Sequence, residues 1–466
     1  MSDGGHGGGG LPGLHTAEHF IHSSHSGGGF HFQDKDFIIL FCVVTFSFFT
    51  IAPLQTIENF KLAFFLAPLW VTYILGSYTF ERFVQSKKAA FIANQKHVLL
   101  ELRMPRDTKK TPLAMETVLS SMHLSPGEAT WYKRIINGAV RPWFSLEIAS
   151  LGGRIHFYLW VREGMRRAVE SAFYAQYPDM EIIEAEDYSR LVNPNSPDWS
   201  MFATEYNHGG NVDAYPIKTY VDFGLDKPGM KPEEQIDPLA QMLEVMGSLG
   251  PDEQFWLQYI IRVTKGEKFE GKLNKKGKPF SWKDAGQEEI EKIRETAQIQ
   301  TEYKDPSTGE IKKIQGFPNP TEGQKDKIKA IERNISKLGF DVGIRSIYAA
   351  PSDKFNGGTI TPQISLFKPF NSEAYNSVSA QSRLSARYND WPWEDPGGHH
   401  KEHEEHVAIE MFRRRQFYHD PYVGDWAIMS TEELATLFHV PSGSIETPSL
   451  PRIQSTTSGA PANLPT

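Results

Sequence analysis

The stretch Phe144-Ser145-Leu146-Glu147-Ile148-Ala149-Ser150-Leu151-Gly152-Gly153-Arg154-Ile155-His156-Phe157-Tyr158-Leu159-Trp160-Val161 decides the fold class. Phe144, Leu146 and Ile148 alternate with Ser145, Glu147 and Ala149, the period of a half-buried strand. Ile155, Phe157, Leu159 and Val161 repeat that alternation, and Gly152-Gly153 between the two runs supplies a hairpin turn. Upstream, residues 98–103 read as a strand. Thr111-Pro112 then opens a helix, with Thr as N-cap and Pro at the first helical position. Its apolar face is Leu113, Met115, Val118, Leu119 and Met122. Downstream, a helix over 164–176 stops before Tyr177-Pro178, and 180–185 makes a last strand. The order β-α-β-β-α-β is the split βαβ arrangement of ferredoxin-like domains, here over residues 96–190.

A second α/β unit is expected over 200–350. Asp237-Pro238-Leu239-Ala240 repeats the logic of Thr111-Pro112-Leu113-Ala114 and opens a helix to Leu249. Residues 215–223 read as the opening strand, 255–263 and 341–350 as further strands, and 321–338 as a helix. Residues 264–320 interrupt this unit as an insertion. Its start, 265–283, is basic and Gly-rich, and 284–300 reads as a highly charged helix. The region 351–440 is turn-rich and helical, with 373–388 and 402–418 as helices. Ser430 and Glu433 form a capping box for a short helix over 432–438. Residues 441–466 are rich in Pro, Ser and Thr, the composition of an extended tail.

The chain has 466 residues and a net charge of −8, which argues against a uniformly basic nucleic-acid coat. Its 10 Trp, 17 Tyr and 30 Phe exclude a wholly disordered chain. One cysteine, Cys42, excludes an intrachain disulfide and a Cys-based zinc site. Residues 1–35 form a Gly- and His-rich tail expected to be disordered, with neither the basic start nor the small-residue cleavage site of a signal peptide. Two uncharged runs follow, 37–54 and 62–80, each long enough to cross roughly 30 Å of hydrocarbon. They predict a transmembrane helical hairpin over 36–80. Arg82, Lys87, Lys88, Lys96, Arg103 and Arg106 after it mark the cytoplasmic side. The expected location is therefore the inner membrane, with two spans and the bulk of the chain in the cytoplasm.

Signals for chemistry are sparse. Gly266-Glu267-Lys268-Phe269-Glu270-Gly271-Lys272-Leu273 has the G-x4-G-K spacing of a phosphate loop, but Leu273 stands where a Mg²⁺-binding hydroxyl is needed. His399 and His403 are four apart and could share a metal, yet the surrounding Glu and His residues do not make H-E-x-x-H. No catalytic residue, cofactor or metal is therefore expected. The candidate contacts to a partner or to nucleic acid are Arg413, Arg414, Arg415, Lys272, Lys275 and Lys276, where cations cluster.

Several segments carry a resemblance. They are Leu100-Glu101-Leu102-Arg103-Met104-Pro105-Arg106, Thr111-Pro112-Leu113-Ala114-Met115-Glu116, Tyr174-Ala175-Gln176-Tyr177-Pro178 and Thr431-Glu432-Glu433-Leu434-Ala435-Thr436-Leu437-Phe438-His439-Val440-Pro441. The chain from Lys96 onward resembles a family of membrane-anchored bacterial proteins associated with type IV secretion and conjugation. In that family such a region precedes, or is encoded beside, a coupling-protein-like DNA-pump ATPase. The resemblance implies a non-enzymatic, membrane-anchored docking subunit whose partner is a separate P-loop ATPase, together with other secretion components. A membrane-tethered nucleic-acid-binding module is the alternative, and DNA and further copies of the chain are candidate partners. The expected fold is α+β: a transmembrane hairpin, two ferredoxin-like units and an extended C-terminal tail.

Overall fold

The computed structural model describes residues 61, 65, 67–104, 110–124, 128, 130–193, 198–227, 236–269, 271–304, 311–383 and 399–441. Its first long helix, α1 (Ala67–Ala93), overturns the expected membrane hairpin. The helix does not stop at Phe80 but continues through Glu81, Arg82, Lys87 and Lys88. Among the described residues no helix is long and apolar enough to cross a membrane. The two-span, inner-membrane reading is corrected accordingly; its first run, 37–54, lies outside the described residues. Described residues up to Asn94 form one compact piece with Gly127–Val140, and Gln95–Pro126 joins the chain from Arg141 onward in the other.

The second piece opens with β1 (His97–Arg103), α2 (Pro112–Ser121), and then β2 (Phe144–Leu151) and β3 (Arg154–Arg162). The short helix α3 (Trp131–Ile135) between α2 and β2 belongs to the first piece. Gly152 and Gly153 turn the β2–β3 hairpin at φ of 60° and 81°, a region other residues enter only with strain. A Cβ on either would also collide with the backbone of Pro251 or Leu249. Next come α4 (Arg166–Gln176), β4 (Glu181–Glu184), β5 (Trp199–His208), α5 (Pro238–Gly247) and β6 (Gln254–Val263). The connection from β6 carries α6 (Trp282–Thr296), a β7 (Gln298–Lys304) and β8 (Ile311–Pro318) ribbon, and α7 (Glu322–Ser336). The chain ends in β9 (Gly339–Pro351), α8 (Ile360–Ile364), β10 (Val378–Arg383), α9 (His399–Arg414), β11 (Ala427–Ser430) and α10 (Thr431–Leu437).

The expectation of two separate ferredoxin-like units is also overturned. One antiparallel sheet of nine strands runs β10-β5-β9-β6-β2-β3-β1-β4, with β11 beside the start of β9. Strands β2 and β6 pair over eight residues, from Phe144–Ile261 to Leu151–Gln254, so nothing divides the sheet at its middle. Residues 215–223 form turns instead of the expected strand, because their backbone donors are taken elsewhere. Ile217 N donates to Glu433 and Tyr220 N to Thr436 Oγ1, both on α10. Residues 378–383, expected in a helix, pair with β5 at the edge of the sheet.

Each face of the sheet is covered. Leu100, Leu146, Ile148, Leu159, Tyr259 and Ile344 meet Met115, Phe173, Leu243 and Leu434 of α2, α4, α5 and α10. On the other face Ala149, Tyr158, Trp256 and Ile347 meet Ala408, Ile409 and Phe412 of α9. All seven residues of α10 are buried. The capping box expected at its start is present, with Ser430 and Glu433 bonding each other's backbone N–H at 3.2 and 2.9 Å. This segment is core and no part of a tail; 442–466 lie outside the described residues.

Candidate functional site

Directly paired residues of neighbouring strands point to the same side of a sheet. The register therefore assembles a polar row across six strands: Glu205 opposite Arg345, Arg345 opposite Gln258, Gln258 opposite Glu147, Glu147 opposite Tyr158, and Tyr158 opposite Glu101. The end of α9 closes over this row. Arg415 N donates to Phe412 O and Gln416 N to Met411 O, the paired bonds that terminate a helix around a left-handed residue. That residue is usually Gly; here Arg415 takes φ of 49°. A left-handed L-residue costs roughly 1–2 kcal/mol, and the guanidinium's partners offset it.

Arg415 is 1% exposed. Its Nε lies 3.0 Å from Glu147 Oε1, and its Nη1 and Nη2 reach Asp187 at 2.5 and 3.1 Å. Glu147 also accepts from Ser145 Oγ at 2.6 Å, Tyr188 Oη at 2.7 Å and Gln258 Nε2 at 3.0 Å. Burial opposes the Arg415 charge, but Glu147 and Asp187 more than offset it and hold its pKa above the ordinary arginine range. Burial likewise pushes Asp187 up, and Arg415 with Ser189 brings it below the usual carboxylate range. The cluster is a hydrogen-bonded ion triad with Arg415 and Glu147 buried and Asp187 partly exposed, suited to holding α9 in place.

The three arginines expected to form one patch thus separate. Arg413 donates to the carbonyls of Ser189 and Val192, Arg414 pairs with Glu410 at 2.9 Å, and Arg415 is buried. The three lysines do not converge either. Lys272 lies 5.9 Å from the Phe280 ring, Lys275 pairs with Glu291, and the Lys276 backbone N–H donates to Asn274 Oδ1. The G-x4-G-K segment lacks the strand–loop–helix setting of a phosphate loop among its described residues. It forms a short turn over Glu267–Phe269 and then a bridge from Leu273 to Pro279. Among the described residues no three His, Cys, Asp or Glu side chains are grouped to hold a metal.

One open cleft of about 350 Å³ lies where β5 meets that turn, lined by Asn207, His208, Asp213, Lys268, Phe269 and Asp425. His208 Nδ1 and Lys268 Nζ each reach Asp213 at 2.9 Å. Burial pushes Asp213 up, yet the His208 hydrogen bond and the Lys268 charge hold its pKa down to about 2. The sequence reading missed this cleft because its residues come from three separate stretches of chain, 207–213, 268–269 and 425.

Fold and site define an α+β protein built on one nine-stranded antiparallel sheet, with ion pairs that hold its own elements together. The chain belongs to a family described as a domain of unknown function (DUF8128), whose model matches residues 81–452. No curated protein matches it.

Proposed function

We propose that the chain is a non-enzymatic docking subunit that partners a separate P-loop ATPase of a conjugation-type DNA-transfer machine. The observation that supports this reading is the Glu147–Asp187–Arg415 triad. Arg415 and Glu147 are buried beneath the end of α9 with Asp187 partly covered beside them, so these charges serve to order structure. The resemblance of 100–106, 111–116 and 431–441 supplies the kind of partner. The exposed faces of α6 and α7, rich in Lys and Glu, supply a surface of mixed charge for it.

Affinity purification of the tagged full chain from its native cells tests the reading. The expected companion carries a Walker motif and hydrolyses ATP, and reversing Lys283, Glu288 and Lys292 on α6 weakens its recovery. ATP hydrolysis by the purified chain itself, lost in Lys272→Ala, would overturn the proposal.

A further inference from the structure

The described residues of the helical piece are net positive, opposite in sign to the whole chain. They include Arg82, Lys87, Lys88, Lys133 and Arg134 against Glu81 and Glu128, in a chain of net charge −8. The piece also holds exposed aromatic rings beside those cations. Trp131 and Tyr132 of α3 are 54% and 59% exposed, immediately before Lys133 and Arg134. On α1 the Arg82 guanidinium stands 5.1 Å from the Tyr78 ring centroid and the Lys87 ammonium 5.5 Å from that of Phe83. The loop after α3 lies against α1: Gly138, at φ of 63°, is so close to the Lys87 carbonyl that a Cβ would collide with it.

We infer that this face, built from Arg82, Lys87, Trp131, Tyr132, Lys133 and Arg134, binds single-stranded nucleic acid. Flat rings accept unpaired bases by stacking, and cations set beside them neutralise the connecting phosphates. A protein partner of ordinary composition would not call for both on one small surface, and a local cationic face on an anionic chain selects a polyanion. The Thr130 side chain caps α3 at Lys133 N (3.3 Å), which sets the direction in which Trp131 and Tyr132 leave the helix. The inference does not depend on the docking reading, since none of its residues is used there.

The test is fluorescence anisotropy of labelled oligo-dT, about 20 nucleotides long, with the purified full chain. Binding should weaken steeply with added salt. The double variant Trp131→Ala/Tyr132→Ala should weaken it at least tenfold with the salt slope unchanged. Lys133→Ala/Arg134→Ala should weaken it and flatten the slope. Both pairs are exposed, so unchanged thermal unfolding of the variants confirms that the fold survives. Absence of dT binding, or equal binding by both variants, overturns the inference. So does loss in the variants of binding to phosphatidylglycerol vesicles when dT binding is absent, which would assign the face to a lipid surface.

Discussion

On one side of the β2–β6 seam the strands stand in the order β4-β1-β3-β2; on the other they stand as β10-β5-β9-β6, the same order in mirrored sequence positions. A Pro-started helix follows the first strand of each half, α2 after Thr111 and α5 after Asp237. What differs is the connection between the inner strands. Two glycines join β2 to β3, whereas β6 reaches β9 through α6, the β7–β8 ribbon and α7. The outer helix also differs: α4 has 11 residues, α8 only five. A shared strand order therefore tolerates a connection of two residues or of many, provided both ends return to neighbouring strands.

The strongest test of the halves as one body removes what bridges them. β11 pairs with β9 of the second half, while Thr431 of α10 lies 3.4 Å from Glu116 on α2 of the first. Truncation after Trp426 deletes both β11 and α10, with Leu434, Leu437 and Phe438 from the core. We expect no cooperative unfolding transition from the remainder, since burying each such side chain is worth roughly 1.5–3 kcal/mol. A sharp transition by circular dichroism would show that the halves stand without their bridge.

Next in size is the triad across the seam. Arg415→Ala leaves Glu147 buried beside Asp187 without its cation, which should cost about 3–5 kcal/mol in urea unfolding. Arg415→Met with Glu147→Gln removes charge from both sides and should recover a large share of that loss. If the double variant is no better than the single, the row is not coupled through Arg415.

How much of this was legible follows from where the charges sit. The β2–β3 hairpin, α2, α5 and the α10 capping box were readable, because local spacing and turn chemistry specify them. Strand β5 was not: the sequence pattern assigns no element to 199–208, and the polar Glu205 and Asn207 in it are buried by the row and the cleft. Residues 215–223 alternate well enough for a strand, but Ile217 and Tyr220 give their N–H groups to α10, a partner more than 200 positions away. Glu147 likewise looked like the wet side of a half-buried strand until α9 covered it. Both site arrangements depend on pairing register and long-range closure, which no window of sequence contains. The uncharged runs illustrate the opposite error, where apolar length alone led to a span that the charged continuation of α1 denies.

Acid should separate the halves more gently. Asp213 anchors the start of the long connection through Lys268, and the short β2–β3 turn has no such anchor. Its folded pKa of about 2 lies below the ordinary aspartate value of 3.8, so its contribution is present above pH 3.8 and lost as pH falls toward 2. The size is on the order of 2 kcal/mol. Lys268→Met should shrink that acid-side loss. His439 has the opposite sign: burial lowers its pKa, but the Asp237 charge and hydrogen bond outweigh it and raise the group above 6.5. Its contribution is full below pH 6.5 and fades as pH rises through the raised value, so a His439→Gln chain should approach the parent in stability at alkaline pH.

The smallest effect is expected from the part of the long connection that touches least. The whole of 264–320 is not removable, because α6 buries Trp282 and Ile290 and Lys268 holds Asp213. Ile290 packs with Ile328 and Ile331 of α7, and Asn334 Nδ2 donates to Ala214 O at 3.2 Å, so α6 and α7 form a satellite core tied to the loop after β5. The β7–β8 ribbon pairs only with itself in a two-stranded sheet, outside the nine. Replacing residues 299–317 by a short Gly/Ser linker should therefore change stability by less than about 1 kcal/mol, since loop-closure entropy grows slowly with length. Urea unfolding checks this, with an m-value lowered only by the surface of the deleted ribbon. A loss of several kcal/mol would mean that the ribbon, like α6, belongs to what holds the second half of the sheet together.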